Sequence, residues 1–297
     1  MLTYKEKHMS LSNPTVLRDI IERYGFEFTK SLGQNFLIDN NVVENLAKLS
    51  GADKDTAVLE VGPGIGTMTE KLAEMCGELT AVEIDKTLIP ILSETLAPYP
   101  HARVINEDIM KADLNAICDS FTKQRIVACA NLPYYITTPV IALLLESCRF
   151  ESLSIMIQKE VGDRLASKPG KGEYGAFTVF VNTYAEVDLA FKIPASCFMP
   201  KPNVDSVALK LNMRKDPLVP AEKREFFFKV VKAAFAQRRK TLVNSLSSHF
   251  ASRIPKADIA QIISECGFNE KIRGEVLGIP EFFALSEKMS EYIKNNA

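Results

Sequence analysis

The sequence predicts an α/β fold with a mostly parallel sheet, followed by a smaller, all-α C-terminal domain. In the first two-thirds of the 297 residues, short β-rich apolar runs alternate with stretches of helical spacing. Such alternation is typical of a parallel sheet with right-handed crossovers. Two β-like stretches then follow in succession, and beyond residue 220 the chain has helical spacing. Because domains average about 100–200 residues, this length suits two domains or one large one.

Five apolar runs of strand length come first. They cover residues 57–61, 79–84, 102–106, 126–130 and 152–158, with helical patterns between them such as 67–75 and 88–96. The stretch 177–191 has β character throughout, and 204–211 places Val207, Leu209 and Leu211 on one face. Because no helix separates these two strands, we expect an antiparallel hairpin at the end of the sheet.

A proline-containing segment, 212–220, separates the two predicted domains. We therefore assign residues 1–212 to one domain and 213–297 to a second, helical domain. Apolar residues recur at helical spacing over 226–235, and further helices are predicted over 256–266 and 280–294. Residues 167–174 are predicted to form a mobile loop.

The net charge of −1, from 36 Lys and Arg against 37 Asp and Glu, at first argues against a nucleic-acid partner. The charge is unevenly spread, however. Residues 51–100 hold 3 basic and 9 acidic side chains, whereas residues 201–250 hold 11 basic and 4 acidic side chains. Fields act over about 8–10 Å, so the local balance matters more than the total. The basic segment is either a surface for a polyanion or chance clustering on a solvated face.

The six cysteines form no CxxC pair and the three histidines are scattered, which argues against a zinc site. Cysteines without a paired spacing are expected to be reduced, as they are in the cytosol. The first eight residues are too charged for a signal peptide, and the longest apolar runs are far shorter than the roughly 20 residues of a membrane helix. We therefore expect a cytoplasmic protein without a metal or a membrane segment.

Residues 58–66, Val-Leu-Glu-Val-Gly-Pro-Gly-Ile-Gly, run from a predicted strand into three glycines, and a helix is predicted from Thr67. Glycines allow a sharp turn and the close approach of a ligand, and a helix N-terminus offers free N–H groups. The pattern is typical of a nucleotide-binding turn, although plain turns also use such triplets. Its GxGxG spacing differs from the dinucleotide fingerprint GxGxxG, so the loop fits a pyrophosphate poorly.

Carboxylates follow the next two predicted strands. Glu83 ends the second strand, where it can accept both hydroxyls of a ribose, and Asp108 follows the third, where it can bond the amino group of an adenine beside Ile109. Alternatively, Glu83 is a surface acid and Asp108 a helix N-cap. Together, three successive strand ends indicate a ligand with adenosine but no phosphate clamp, which favours S-adenosylmethionine over NAD.

Asn131-Leu-Pro-Tyr-Tyr135 follows the fourth strand, at the same edge of the sheet. The Asn131 side-chain carbonyl and the Leu132 main-chain carbonyl can accept N–H bonds from an exocyclic amine, whose lone pair is otherwise delocalised into the ring. This arrangement directs the lone pair at an electrophilic methyl group. Tyr134 can stack on an extruded base, which is worth about 1–3 kcal/mol. Alternatively, Asn-X-Pro is turn chemistry.

These motifs together resemble those of the S-adenosylmethionine-dependent rRNA adenine N6,N6-dimethyltransferases. Three further stretches match the same family: Leu32-Gly-Gln-Asn-Phe-Leu37, Phe198-Met-Pro-Lys-Pro-Asn-Val-Asp-Ser206 and Ala233-Ala-Phe-Ala-Gln-Arg-Arg-Lys-Thr-Leu242. Leu132, the continuation Tyr135-Ile-Thr-Thr-Pro139 and the Gln-Arg-Arg-Lys run favour the small-subunit branch over the antibiotic-resistance relatives, which modify the large subunit.

The resemblance implies a Rossmann-like class I methyltransferase fold, with a seven-stranded mostly parallel sheet and a small all-α C-terminal domain that binds RNA. It implies N6,N6-dimethylation of two adjacent adenosines in the hairpin loop near the 3′ end of 16S rRNA, during small-subunit maturation. The implied cofactor is S-adenosylmethionine, and the implied partner is 16S rRNA within the small subunit or its precursor. We also expect a monomer.

The resemblance further implies roles for individual residues. Those implied to contact the cofactor are Asn35, Leu37, Gly62, Glu83, Ile84, Asp108, Ile109 and Asn131. Those implied to hold the target adenine or direct its amine are Asn131, Leu132, Tyr134 and Phe198. Those implied to contact rRNA are Lys201, Arg238, Arg239 and Lys240, although Lys201 is equally well a solvated lysine. Phe36 either packs near the site or belongs to the core.

Particular residues disfavour three rival functions. Methyltransferases for DNA adenine or protein glutamine usually have Asn-Pro-Pro-Tyr or Asp-Pro-Pro-Tyr, which Leu132 contradicts. The glycine spacing disfavours a NAD-dependent oxidoreductase. The intact Asn131 and glycine loop disfavour a non-catalytic RNA-binding factor, although a role in assembly can coexist with catalysis.

Overall fold

The computed structural model describes residues 10–29 and 32–296. The charged first eight residues, which argue against a signal peptide, lie outside this part of the chain. The strands are β1 (Phe36–Leu37), β2 (Thr56–Val61), β3 (Glu78–Glu83), β4 (Ala102–Asn106), β5 (Arg125–Asn131), β6 (Ser152–Gln158), β7 (Ala185–Ile193), β8 (Phe198–Met199) and β9 (Ser206–Met213). The first five predicted strands therefore all exist, as β2 to β6.

Seven of these strands form one sheet in the order β4-β3-β2-β5-β6-β9-β7. Strands β4, β3, β2, β5 and β6 run parallel to one another, and β9 runs antiparallel to β6. β2 is buried along its whole length, as expected of a central strand covered on both faces. The predicted seven-stranded, mostly parallel sheet is confirmed. β1 and β8 form a separate antiparallel pair.

Helices separate the parallel strands and form the C-terminal part of the chain. In the described residues they are α1 (Pro14–Tyr24), α2 (Asn40–Ser50), α3 (Thr67–Met75), α4 (Ile89–Thr95), α5 (Leu114–Asp119), α6 (Thr137–Ser147), α7 (Lys159–Leu165), α8 (Ala176–Tyr184), α9 (Ala221–Phe235), α10 (Leu242–Phe250), α11 (Lys256–Glu265) and α12 (Ile279–Asn295). Leu46 of α2 and Leu72 of α3 share a buried cluster with Val58 and Val127 of the sheet, so apolar contacts hold this layer.

The prediction of β structure throughout residues 177–191 was wrong for the first half of this stretch, which is helical. Helix α8 covers Ala176–Tyr184, and β7 begins at Ala185. Most of α8 is apolar or β-branched, and Thr178, Val179 and Val181 are fully buried. A helix that is buried on several sides shows no clear period, and its β-branched residues favour a strand. β7 and β9 are neighbours in the sheet, as expected.

The described chain divides into two compact units. Unit 1 contains the described residues up to Gly162 together with Val187–Met213, and unit 2 contains Asp163–Glu186 with the described residues from Arg214 onwards. The segment Asp163–Glu186 packs with the C-terminal helices: the Tyr174 hydroxyl donates to the Leu277 carbonyl at 2.9 Å, and Val179 shares a core with Phe227. The division into functional domains 1–212 and 213–297 stays a prediction.

Candidate active site

A cavity of about 250 Å³ lies in unit 1 at the carboxyl ends of the parallel strands. In open α/β sheets, ligands bind at this edge. All residues assigned above to catalysis or to the cofactor line the cavity: Asn35, Leu37, Gly62, Glu83, Ile84, Asp108, Ile109, Asn131, Leu132, Tyr134 and Phe198. The four residues assigned to rRNA are not among its lining residues. Lys201 belongs to unit 1, and Arg238, Arg239 and Lys240 belong to unit 2.

The glycine turn contributes Gly62 and Gly64 to the lining of this cavity. Gly62, Gly64 and Gly66 all have positive φ, at +71°, +62° and +93°. The Phe36 ring lies only 3.0 Å from where a Cβ of Gly64 would stand, so a side chain there would displace the ring. Phe36 itself is buried, packs in an aromatic cluster and lines the cavity, so both interpretations of this residue hold.

Glu83 ties the glycine turn to the loop that follows β3. Its carboxylate accepts the N–H of Gly64 at 3.2 Å through Oε2 and the N–H of Asp85 at 2.8 Å through Oε1. The residue is 5% exposed, and burial raises the pKa of its carboxyl group. Each carboxylate oxygen has a second lone pair. Glu83 can therefore brace the turn and still accept a hydroxyl from a ligand.

Since α5 has Asp113 as its N-cap, the alternative assignment of Asp108 as a helix N-cap is wrong. Asp108 Oδ1 accepts the N–H of Met110 at 3.0 Å, so it caps the turn after β4, although the next helix begins only at Leu114. Its side chain also lines the cavity, beside the buried side chain of Ile109. The second carboxylate oxygen is the atom that can accept from a ligand amine.

The orientation of the Asn131 amide is fixed by one hydrogen bond. Its Nδ2 donates to the main-chain carbonyl of Asn35 at 3.1 Å. Because only the NH₂ end can donate to a carbonyl, Oδ1 is left for another donor. Within the described residues, neither Asn131 Oδ1 nor the Leu132 carbonyl accepts a hydrogen bond. Two free acceptors therefore adjoin the same cavity.

Two segments distant in sequence bring aromatic side chains to this site. β1 pairs with β8 through Phe36↔Met199 and Leu37↔Phe198, and the Ile38 N–H donates to the Cys197 carbonyl at 2.8 Å. This pairing places buried Phe198 in the wall of the cavity. Tyr134 lines the same cavity, with its hydroxyl 3.4 Å from Ser206 Oγ.

Among the described residues that line the cavity, four have acidic side chains and none has a basic one. The acids are Glu60, Glu83, Glu107 and Asp108, and none of the described lining residues is Lys, Arg or His. Glu60 is fully buried, neither of its oxygens has a hydrogen-bond partner in the described structure, and burial raises its pKa to about 8. Glu60 is therefore largely neutral at pH 7. The other three acids, Glu83, Glu107 and Asp108, are the groups that fit a cationic ligand without phosphate. S-adenosylmethionine has that character, whereas a pyrophosphate would meet repulsion.

Sequence reasoning missed several lining residues, among them Gln34, Glu107 and Tyr135. Gln34 stands between Gly33 and Asn35 in a motif that was recognised, so its position was a usable signal. Glu107 adjoins Asp108 at a strand end. Tyr135 is 56% exposed at the cavity and directly follows Tyr134 in the recognised motif, so its position was a usable signal as well.

The members of the predicted basic cluster, Arg238, Arg239 and Lys240, differ in whether their side chains have partners. Arg238 donates through Nη2 to the carbonyls of Gly172 at 2.5 Å and Tyr174 at 3.2 Å, and it lies 3.6 Å from Glu275. It therefore anchors the loop 167–174 within unit 2. Arg239 and Lys240 are exposed, and their side chains have no hydrogen-bond or ion-pair partner in the described part of the chain. Lys201, in unit 1, is exposed as well.

Neither a metal centre nor a membrane span emerges from the residues that are described. Over 10–29 and 32–296, no group of three or more His, Cys, Asp or Glu side chains is arranged to hold a metal ion. No helix of that part of the chain is long and apolar enough to cross a membrane.

Comparison with known proteins gives consistent matches. The model of the family described as ribosomal RNA adenine dimethylase matches residues 25–284. The chain is 43% identical over 287 residues to the ribosomal RNA small subunit methyltransferase A of Bacillus licheniformis, covering 95% of this chain and 98% of the relative. The protein of the same name from Bacillus mycoides is 45% identical over 284 residues, 94% of this chain and 97% of the relative.

Two solved structures are similar in fold. A dimethyladenosine transferase from Plasmodium falciparum superposes with a TM-score of 0.72 at 23% identity, over 86% of this chain and 98% of the other. The 23S rRNA methyltransferase ErmE gives 0.65 at 24% identity, over 86% and 99%. At these identities the structures support the fold alone, and they confirm the expected Rossmann-like methyltransferase architecture.

Glu60 gives the ligand-free protein a testable pH dependence. Its carboxyl group has an ordinary pKa of 4.5, and burial raises the folded-state pKa to about 8. The unfolded chain thus loses this proton first, so the stability contributed by Glu60 falls as pH rises from about 4.5 to about 8. The nearly isosteric Glu60→Gln variant cannot ionise. Its melting temperature should match that of the wild type near pH 5 and exceed it at pH 8.

Exposed Glu146 on α6 supplies the control for this experiment. Glu146→Gln should leave the pH dependence of the melting temperature as it is in the wild type. A Glu60→Gln variant with the same pH dependence as the wild type would show that the buried carboxyl group is not neutral in the folded protein.

Proposed function

Because the chain belongs to the ribosomal RNA adenine dimethylase family, we propose that it dimethylates N6 of two adjacent adenosines in the hairpin loop near the 3′ end of 16S rRNA. Its cofactor is S-adenosylmethionine. The proposal rests on one observation above all: two free acceptors, Asn131 Oδ1 and the Leu132 carbonyl, adjoin an acidic cavity that suits a cationic cofactor. The substrate is the small ribosomal subunit or its precursor.

The amine of adenine is a poor nucleophile, because its lone pair is delocalised into the ring. Asn131 and Leu132 are proposed to make it more nucleophilic. Each acceptor takes one N–H of the amine, so the nitrogen becomes pyramidal and its lone pair turns away from the ring. When bound, S-adenosylmethionine supplies a methyl group already activated by its sulfonium. The amine becomes acidic on methylation and can release its proton to water, so the site needs no strong base. Orientation and exclusion of water are the contributions of the protein.

Tyr134 and Phe198 are proposed to hold the extruded adenine between them. Phe198 is buried in the cavity wall, and Tyr134 is half-buried next to the acceptor Asn131. Stacking does not depend on the number of N–H groups that the base still has. After the first transfer only one N–H remains for the two acceptors, so the stacking residues become relatively more important for the second transfer.

Arg239 and Lys240 are proposed to contact rRNA phosphates, because their exposed side chains have no hydrogen-bond or ion-pair partner within the described residues. Arg238 contributes mainly by holding the loop 167–174. Lys201 lies in the motif that also contains Phe198 and is proposed to meet phosphates near the target base. We expect the enzyme to act as a monomer in the cytoplasm, where ribosomal subunits mature.

Asn131→Ala should abolish methyl transfer while leaving the affinity for the cofactor unchanged. Removal of one preorganised hydrogen-bonding group from an active site typically lowers kcat by about 10²–10³-fold. Labelled-methyl transfer onto unmethylated small subunits measures this loss, and calorimetry with S-adenosylhomocysteine measures cofactor affinity. If affinity for S-adenosylhomocysteine falls in parallel with kcat, Asn131 belongs to cofactor binding and the assignment is wrong.

Tyr134→Ala should lose dimethylated product more than monomethylated product, since stacking matters most in the second step. The ratio of the two nucleosides is read by mass spectrometry of digested rRNA. Tyr134→Phe keeps the ring and loses only the hydroxyl contact with Ser206, so its product ratio should stay near that of the wild type. Equal losses of both products in Tyr134→Ala would contradict this role.

Arg239→Ala and Lys240→Ala should each weaken rRNA binding and reduce the slope of log K against log salt by about 1. Filter binding to small subunits at several salt concentrations measures the slope. Lys256→Ala, which removes an exposed charge at the start of α11, is the control and should leave the slope unchanged. An unchanged slope in both cluster variants would make these residues ordinary surface charges.

A further inference from the structure

Gln34 connects the segment over the cavity to the loop that follows β3. We define the cover segment as residues 32–37, all of which line the cavity. The Gln34 side chain donates through Nε2 to Asp85 Oδ2 at 2.7 Å and accepts the N–H of Thr29 through Oε1 at 2.8 Å. A carboxylate can only accept and a backbone N–H can only donate, so both ends of the amide are matched.

Asp85 is itself held rigidly. It is 7% exposed, and its Oδ1 accepts from the Thr87 N–H at 2.9 Å and the Thr87 hydroxyl at 2.6 Å. Burial alone would raise the pKa of Asp85, but the hydrogen bonds from Thr87 and Gln34 outweigh it and keep the pKa below its ordinary value. The carboxylate that faces Gln34 is therefore ionised at neutral pH.

The hydrogen bonds continue from Asp85 into the cofactor site. The N–H of Asp85 donates to Glu83 Oε1, and Glu83 Oε2 accepts from Gly64 in the glycine turn. On the other side, the residue after Gln34 offers the carbonyl that orients Asn131. Gln34 thus stands between the carboxylate proposed to hold the ribose and the amide proposed to hold the target amine.

We infer that Gln34 is a positioning residue which, by clasping Asp85, keeps the cover segment closed over bound S-adenosylmethionine. The inference rests on the proposed function, since it requires the cofactor to occupy this cavity. Opening of the clasp releases the cover segment from the β3 loop and speeds dissociation of the cofactor. The consequence is a higher KM for S-adenosylmethionine with a smaller change in kcat.

Gln34→Glu tests the clasp directly, because it places a second carboxylate 2.7 Å from Asp85, with Glu83 as the next acid behind the pair. Two carboxylates at that distance do not both ionise easily, so one is protonated when the pH is low enough. Affinity for S-adenosylhomocysteine should fall by about 10-fold or more at pH 8 and recover towards the wild-type value at pH 5.5. A merely structural glutamine gives no such pH profile.

The double variant Gln34→Glu/Asp85→Asn interchanges the carboxylate and the amide. The introduced asparagine can donate to the introduced carboxylate and still accept from Thr87, so affinity should return at both pH values. Gln261→Glu is the matched control: Gln261 also donates to a carboxylate, that of Glu265 at 3.0 Å, but in unit 2 on α11. It should leave the affinity for S-adenosylhomocysteine unchanged.

Calorimetry at pH 5.5 and 8 measures the affinity of each variant for S-adenosylhomocysteine. Steady-state kinetics of methyl transfer gives KM and kcat. In the ligand-free protein, Gln34→Leu should also speed hydrogen exchange at the Thr29 amide. Wild-type affinity of Gln34→Glu at pH 8, or failure of the double variant to recover, would overturn the clasp. If the wild-type protein itself does not bind S-adenosylhomocysteine, the proposed function fails instead.

Discussion

The parallel register of β2, β3, β4 and β5 is the constraint on which the site depends. Val61 pairs with both Val82 and Ala130, and Glu83 pairs with Asn106. The residues that follow these pairs are therefore brought to one edge of the sheet, whatever their distance along the chain. Slippage of one strand by a single residue would turn its side chains to the opposite face and remove its contribution to the cavity.

The sheet edge alone leaves the cavity open, and two distant segments complete it. The short β1–β8 pair joins the cover segment to the strand that contains Phe198. The hydrogen bond from Asn131 to the Asn35 carbonyl then links that cover to the reactive end of the site. The same backbone segment therefore lines the cavity and orients the Asn131 amide, so one segment contacts both the proposed cofactor site and the proposed substrate acceptor. The acidic lining, with no base among the described residues, suits a cationic cofactor.

Much of this could be predicted from the sequence, because the strands are short apolar runs bounded by charges or glycines. The order of the strands along the chain, with one polar group or glycine at each strand end, was enough to predict that Gly62, Glu83, Asp108 and Asn131 lie close together. Helix α8 was not predicted, because a helix that is buried on several sides lacks the periodic spacing of apolar residues that identifies a helix. The packing of residues 163–186 with the C-terminal helices was not predicted either, since it depends on contacts such as Tyr174 with Leu277, 103 residues apart. Gln34 stands in a recognised motif and Arg238 in the basic cluster, but their partners, Asp85 for Gln34 and the loop 167–174 for Arg238, follow only from the structure.

The most direct test of the account is labelled-methyl transfer by the wild-type protein onto unmethylated small subunits, naked rRNA and adenine-containing DNA in parallel, followed by mapping of the modified base. We predict label from S-adenosylmethionine on N6 of two adjacent adenosines near the 3′ end of 16S rRNA, with dimethyladenosine as the final product. Label on DNA, on another base or on another atom of adenine would contradict it, as would the absence of label on every substrate.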